Sequence, residues 1–364
     1  MEEIASLMKS GDMLVKRSNC LVFFFQGGKL HCKNYLSGKE FEASPLLVPI
    51  LDKLDRWYSV RGLEHLFREY CPVSVRNSVE QLIASTAVLV RGGLQSKRES
   101  ELSAWESWGV EARFFHLATK RTHTQELTID EARFNRALKR HDPPPPPIKQ
   151  YRARARLKLP DPSYHFCGEL PEVLLRRRTH RRFGAGRVSL EQLSTLLRLT
   201  WGFTGHIRWP GLGLLPVKTS PSGGARHSLE VYLWCSRVRG LSPGIYHYRP
   251  DRHELELLKR GSVSHQMAKV CGHQEWVQHC SALFVMTSVL ARVSWRYRFS
   301  RAYRVILLEA GHFGQTFCLV ATWLGLAPFC TGALDDEKIE YDLDLNAGEA
   351  VLYAAGVGTR ATGA

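Results

Sequence analysis

The chain has 364 residues of globular rather than disordered or fibrous composition, enough for two domains of ordinary size. Its formal charge is +15, and the excess lies in the second half: residues 1–150 hold 22 Lys and Arg against 18 acids, and residues 151–364 hold 28 against 17. No apolar run approaches the roughly 20 residues of a membrane helix, and the start, MEEIASLMKSGDM, lacks the basic and then apolar pattern of a signal peptide, so a cytoplasmic protein with no membrane partner is expected.

Leu21 to Phe25 and Lys29 to Lys33 read as strands joined at Gly27-Gly28, a hairpin signature. Helical spacing of apolar residues follows over Leu46 to Leu54, Val60 to Tyr70 and Val75 to Ser85, and Thr86 to Val90 reads as a short strand. Three short helices and a strand predict a small winged-helix-like domain. The third helix (SVRNSVEQLIAS) offers little basic surface and this half is almost neutral. Docking, dimerisation or peptide binding is therefore expected of it, rather than a nucleic-acid partner. His141-Asp142 and the five prolines Pro143 to Pro147 cannot lie inside a core element. They divide the chain into an N-terminal domain over 1–140, a proline-rich linker over 141–150 and a second domain over 151–364.

The second domain opens on its most basic stretch, Tyr151 to Arg187, with ten Lys and Arg against three acids. Nucleic acid, a membrane surface, a phosphate-bearing ligand or plain solvent could face such a stretch. Ser189 is placed to cap a helix over Leu190 to Leu199. Strands are predicted over Leu229 to Cys235, Gly244 to Tyr248, Ser281 to Val289 and Ala350 to Val357, and a long buried helix over Tyr303 to Leu324. The nine cysteines (Cys20, Cys32, Cys71, Cys167, Cys235, Cys271, Cys280, Cys318 and Cys330) are scattered without a CxxC pair. Neither a disulfide framework nor a metal ribbon is predicted, and the run from Cys271 and His273 to His279 and Cys280 does not have metal-ligand spacing.

Two segments carry chemistry. Arg177-Arg178-Thr179-His180-Arg181-Arg182-Phe183 offers guanidinium forks and a hydroxyl, which suit the several acceptor oxygens of a phosphate monoester; a surface arginine cluster is the plainer reading. Thr219-Ser220-Pro221-Ser222-Gly223-Gly224-Ala225-Arg226-His227 offers adjacent glycines whose backbone can approach a ligand closely; a tight loop into the next strand is the plainer reading.

Taken together, six segments resemble, in order, the SagB-type dehydrogenases of the FMN-binding nitroreductase superfamily. They are RRTHRRF (177–183), TSPSGGARHSLEVYL (219–233), LSPGIYHYRP (241–250), WRYRFSRAYR (295–304), EAGHFGQTFCLVATWLGLAPF (309–329) and LYAAGVGTR (352–360). The resemblance runs from about Tyr151 to Arg360, and WGVEARFFHLATKRT (108–122) is similar to the segment closing the N-terminal domain in that family. It implies an α+β nitroreductase-like fold, a mixed sheet flanked by helices in a domain-sharing homodimer. The implied cofactor is FMN. Arg177, Arg178, Thr179, Arg181 and Arg360 would hold the phosphate and ribityl chain. Pro221, Ser222, Gly223 and Gly224 would lie along the ring, from the other subunit. Gly332 and Ala333 would lie near the N5–O4 edge, and Gln315 would face the cofactor region. The implied activity is dehydrogenation of a peptide in natural-product biosynthesis, azoline to azole, with hydride passing to flavin N5 and a cyclase or other partner protein in the same complex.

The sequence departs from the family at one informative place. The Lys-Tyr pair that assists proton removal in azoline-oxidising relatives is matched by Arg296-Tyr297. An arginine stays charged and cannot accept a proton, whereas Tyr297 can act as acid or base. Arg296 would then bind an anionic substrate group or reduced flavin, or the pair would simply pack. His227, His247 and His312 are further possible proton carriers, each more readily read as structural. An NAD(P)H-dependent nitroreductase or flavin reductase acting on a small molecule, another peptide desaturase or reductase, a non-catalytic scaffold and a DNA-binding regulator are the competing readings.

Overall fold

The computed structural model describes residues 12–44, 47–103, 109–120, 131–151, 155–162 and 169–361. The start over 1–11, Cys167 and parts of the segments 108–122 and 151–187 lie outside them. The chain divides into two compact units, Met1–Thr122 and His123–Ala364. This division falls ahead of the proline run, so the helix before the prolines and the prolines themselves belong to the second unit, where the anticipated boundary had set them apart.

The first unit contains β1 (Leu14–Arg17), β2 (Leu21–Gln26), β3 (Lys29–Asn34), β4 (Glu40–Glu42), α1 (Leu47–Asp52), β5 (Tyr58–Ser59), α2 (Val60–Leu66), α3 (Pro72–Ala84), β6 (Val88–Val90), α4 (Leu94–Ser100) and α5 (Gly109–Ala118). The hairpin forms as read: Gln26 faces Lys29 across Gly27 and Gly28, both at positive φ, the twist a two-residue turn needs. Helix α2 stops at Leu66, short of the anticipated Tyr70, where Phe67 leaves helical geometry. Pro72 then starts α3 at its first turn, three residues earlier than the apolar spacing suggested. Thr86 adopts φ 61 and lies outside the strand expected to include it. Sheet β5-β1-β6 and helices α1 to α3 enclose a core that includes Val15, Leu51, Leu63, Val79 and Val88.

The second unit contains α6 (Glu131–His141), β7 (Arg156–Lys158), α7 (Leu170–Arg176), α8 (Leu190–Trp201), β8 (Gly205–Trp209), β9 (Gly213–Val217), β10 (Leu229–Cys235), β11 (Gly244–Arg249), β12 (Glu254–Arg260), α9 (Ser264–Val270), β13 (Ala282–Val289), α10 (Leu290–Ser294), α11 (Ala302–Trp323), β14 (Ala327–Thr331), α12 (Asp336–Leu343) and β15 (Glu349–Gly358). Seven strands form one sheet in the order β14-β15-β13-β10-β11-β12-β7. Every strand pairing within it is antiparallel, and the mixed character expected of the sheet is limited to an isolated parallel bridge, Val188 to Val238.

Alternation along β10 explains how both faces of this sheet are covered. Val231, Leu233 and Cys235 join Leu193, Leu197 and Trp201 of α8 and Phe313 and Phe317 of α11. Tyr232 and Trp234 point the other way, into a second core with Met267 of α9 and Ile339 of α12. Ser189 caps α8 as anticipated, in a full capping box with Gln192. Helix α11, with 22 residues, is long and apolar enough by composition to cross a membrane, which the sequence reading had not anticipated. Half of its apolar window is buried against the sheet, as for the core helix of a globular domain.

Candidate active site

The arginine segment and the end of the chain meet at one edge of the large sheet. The His180 amide donates to the Pro328 carbonyl at 2.9 Å, the Gly184 amide donates to the Thr359 carbonyl at 2.9 Å, and Phe183 bridges to Arg360. A Cβ on Gly184 would lie 2.9 Å from Thr359 Oγ1, which explains the glycine there. This pairing sets the Arg360 backbone beside Phe183 and brings the Arg360 charge near His180, and among the described residues none of Arg177, Arg181 and Arg360 has a carboxylate at ion-pair distance. Arg181 lies over the Trp276 ring, 5.8 Å from its centroid. His180 is held below its ordinary pKa by burial and by the charge of Arg360. Thr179 is exposed within the same segment. Arg178 is not brought into the group, because its guanidinium folds back to donate to the carbonyls of Leu175 and Arg177 at 2.9 and 2.8 Å.

The glycine loop is fastened to the long helix. Ser222 Oγ donates to Glu309 Oε2 at 2.9 Å and accepts from the His227 amide at 2.8 Å, while Ser220 Oγ and Thr316 Oγ1 lie 2.6 Å apart. Burial pushes the Glu309 carboxyl up in pKa despite the Ser222 hydrogen bond and the nearby Lys218. Gly223 is packed so closely that a Cβ would come within 2.6 Å of Val305 Cγ1. Gly224 has φ 60, and a Cβ there would overlap the Tyr297 hydroxyl and lie 3.1 Å from Cζ of its ring. Tyr297 is thus seated against the loop backbone. Pro221 is exposed and its carbonyl lies 3.4 Å from His312 Nδ1.

Arg296, next to Tyr297, hydrogen-bonds Asn135 Oδ1 and lies over the Phe134 ring at 5.6 Å. Asn135 is fully buried on α6 and also donates to the Pro210 carbonyl at 2.9 Å. The proline segment runs along the same turn. Arg292 donates to the Pro146 carbonyl at 3.0 Å, Trp295 Nε1 donates to the Asp142 carbonyl, and Arg298 pairs with Asp142. The segment anticipated as a linker is therefore a strap over α10 and the Arg296-Tyr297 turn.

Beneath the strap lies a buried polar network that sequence reasoning missed. Lys149 pairs with Glu349, which also accepts from Tyr232 Oη and Thr287 Oγ1, and Arg292 pairs with Glu230. His247 bridges Glu230 and Glu256 at 2.8 and 3.1 Å. Burial would lower His247, but the two carboxylates raise it overall. Burial would raise Glu230, but hydrogen bonds from His247 and Arg292 hold it down to about 2. His247 is thus structural. His227 is buried as well, and burial pushes its pKa down to about 3. His227 borders a cavity of about 220 Å³ walled by Pro144, Pro145, Leu215, Ala225 and Trp295.

The remaining expected positions are exposed. Gln315 lies on the outer side of α11. Gly332 and Ala333 follow β14, and the Ala333 amide donates to Thr331 Oγ1 at 3.2 Å. Val305, Glu309, His312 and Thr316 meet the glycine loop along one side of α11, whereas Gly314 and Cys318 meet β14 and β15 on another. Among the described residues, no hydrogen bond or ion pair joins the arginine group to the glycine loop within one chain. A phosphate-bearing flavin fits the donor set in its charge: among the described residues the guanidiniums of Arg177, Arg181 and Arg360 have no carboxylate partner and can face phosphate oxygens. Among the described residues, no three His, Cys, Asp or Glu side chains cluster as a metal site. The signal that could have revealed Glu309 was its position as a lone acid in an apolar helix.

Residues 174–359 match the Nitroreductase family. Over 188 residues the chain is 29% identical to MJ1384 of Methanocaldococcus jannaschii, a protein named for nitroreductases, covering 52% of this chain and 90% of that one. Over 163 residues it is 29% identical to the trifolitoxin-processing protein TfxB of Rhizobium leguminosarum bv. trifolii, covering 44% of each. The chain thus spans less than half the length of that second relative. A crystal structure from Anabaena variabilis, also named for nitroreductases, aligns with TM-score 0.49 and 23% identity over 59% of this chain and 44% of that one.

Proposed function

Because the chain belongs to the nitroreductase family, we propose that it is an FMN-dependent oxidoreductase acting on a peptide, a SagB-type dehydrogenase that converts azoline to azole. The observation that carries this reading is the backbone bridge from Phe183 to Arg360, which pairs the arginine-rich segment with the residues that follow the last strand. When bound, FMN supplies a reversible two-electron, hydride-accepting centre. Arg177, Arg181 and Arg360 hold its phosphate, and the backbone of Pro221 to Gly224 lines its ring. Tyr297, seated against Gly224, is the group that moves a proton. Arg296 stays charged, and its anchoring by Asn135 suits it to orient an anionic group rather than to take a proton.

The arginine group and the glycine loop are held on different sides of α11, so we infer a homodimer in which each copy completes the other's site. The cavity beside Ala225 and Trp295, which Lys139, Arg226 and Arg292 also line, suits a substrate side chain of mixed polarity next to the reacting ring. The first unit docks the peptide or a partner protein of the modifying complex. A relative named for trifolitoxin processing supports a peptide rather than a small molecule. Arg296 in place of a lysine favours another desaturation or reduction on a peptide scaffold over azoline oxidation, and reduction of a small molecule with NAD(P)H is the second reading.

The test is the visible spectrum of the purified protein, with the released chromophore identified by mass. Flavin bands and FMN support the proposal, and a colourless protein that takes up no added FMN refutes it. Incubation with an azoline peptide then separates the two activities. Loss of about 2 Da per ring marks dehydrogenation, and an unchanged peptide with brisk NAD(P)H oxidation marks the second reading.

A further inference from the structure

Seven of the eight described cysteines lie wholly or partly inside the protein, and two of them stand out by position. Cys318 on α11 and Cys330 on β14 face each other with 3.5 Å between their sulfurs. The turn that ends α11 brings them together, with the Leu326 amide returning to the Ala321 carbonyl at 2.9 Å. Cys330 also approaches the Gly314 carbonyl at 3.6 Å, and a Cβ on Gly314 would lie 3.5 Å from the Cys330 sulfur. The glycine at 314 is required by the Tyr353 ring, which a Cβ would meet at 2.7 Å, while its contact with Cys330 is of ordinary length. Cys330 is only partly buried, whereas Cys318 is buried behind it.

The two thiols are also unequal. The hydrogen bond between the two sulfurs and, against burial, the charge of Arg177 hold Cys318 below the ordinary thiol pKa. The same contact, with burial, pushes Cys330 up. By contrast, burial alone pushes Cys32 up to about 11 and Cys271 up to about 12. The two sulfurs are thus in contact, and the charge of Arg177 favours a thiolate in the pair.

We propose that Cys318 and Cys330 are a peroxide-sensitive dithiol that closes to a disulfide between α11 and β14. The Cys318 thiolate attacks the O–O bond of hydrogen peroxide, an S–O bond forms, and water leaves after protonation. The Cys330 sulfur then attacks the Cys318 sulfenic acid, the S–S bond forms, and a second water leaves with the Cys330 proton. Two thiols are oxidised and one peroxide is reduced to two waters. Closure needs the sulfurs to approach by roughly 1.5 Å from their present separation. The bond would tie the helix to the strand that leads into Gly332 and Ala333. This proposal is independent of the cofactor and substrate readings above.

The experiment treats the full-length folded protein with hydrogen peroxide, then alkylates the remaining thiols in denaturant and digests with trypsin. Both cysteines fall in one tryptic peptide, 305–338. The expected product is that peptide about 2 Da lighter and unalkylated, restored by dithiothreitol. No oxygen-bearing form of the pair should accumulate ahead of it, because the resolving sulfur is already in place, whereas the exposed reference thiol Cys71 should gain oxygen. In Cys330→Ser, with the fold checked by circular dichroism, the lighter peptide should vanish and Cys318 should gain oxygen instead. Recovery of the wild-type peptide with both cysteines alkylated, under conditions that have oxidised Cys71, overturns the proposal whatever the variant does.

Discussion

Gly224→Ala isolates the contact that joins the glycine loop to Tyr297. The substitution carries two separable costs. Alanine at φ 60 loses roughly 1–2 kcal/mol to left-handed strain. The new methyl also overlaps the Tyr297 hydroxyl, and such overpacking costs about 1–3 kcal/mol. Only the second cost depends on Tyr297. In Tyr297→Phe the hydroxyl is gone and the nearest ring carbon would stand 3.1 Å from the methyl, tight but relievable by a small shift. The double variant should therefore recover about 1–2 kcal/mol relative to the sum of the single changes. The assay is urea denaturation of the four proteins, followed by tryptophan fluorescence and fitted for the transition of the second unit. A coupling within about 0.5 kcal/mol of zero would mean that Tyr297 does not sit against Gly224, and its assignment as the proton carrier would lose its geometric basis.

Arg177→Ala, Arg181→Ala and Arg360→Ala should each weaken FMN binding by roughly 10- to 100-fold, the worth of one charge-assisted hydrogen bond. Arg178→Ala should leave binding nearly unchanged, since that guanidinium serves its own backbone; equilibrium dialysis of FMN against the four variants checks the contrast. The buried neutral His227 gives a pH dependence of definite sign. Its pKa falls from 6.5 to about 3 on folding, so the stability it contributes is complete above the unfolded value and is lost as pH drops from 6.5 towards 3, by up to about 1.4 kcal/mol per pH unit. His227→Asn, which tolerates the positive φ of this position, should flatten that slope in urea midpoints taken at pH 7 and pH 5. Glu309→Gln keeps an acceptor for Ser222 and should change thermal stability little. Glu309→Ala should cost about 1–3 kcal/mol and loosen the loop, seen as faster amide exchange over 219–227.

The elements that carried strong periodicity were legible in the sequence. The Gly27-Gly28 hairpin, the Ser189 cap, the strand Leu229–Cys235 and the long helix after Ala302 all rest on local rules. What escaped had non-local causes. Arg178 carries the same side chain as Arg177, yet it is turned away because it follows the last turn of α7 and can reach that turn's carbonyls. The proline run reads as a spacer because prolines cannot donate. Its carbonyls nevertheless accept from Arg292, and Lys149 after it reaches a carboxylate 200 positions away. The network of Glu230, His247, Glu256 and Glu349 has no pattern along the chain, since its members come from four strands and meet only when the sheet is assembled.

The strap also fixes where the chain can be cut. A shortened protein that begins at Tyr151 looks natural from composition, since it starts just past the prolines. It would strip Arg296 of Asn135, Trp295 and Arg298 of Asp142, Arg292 of the Pro146 carbonyl and Glu349 of Lys149. The carboxylate of Glu349 would then be left in the interior without its ammonium, a loss on the order of 3–5 kcal/mol for a buried pair. Any excised version of the second unit has to start before α6, and a protease site placed between α6 and Tyr151 would disable the unit rather than release it.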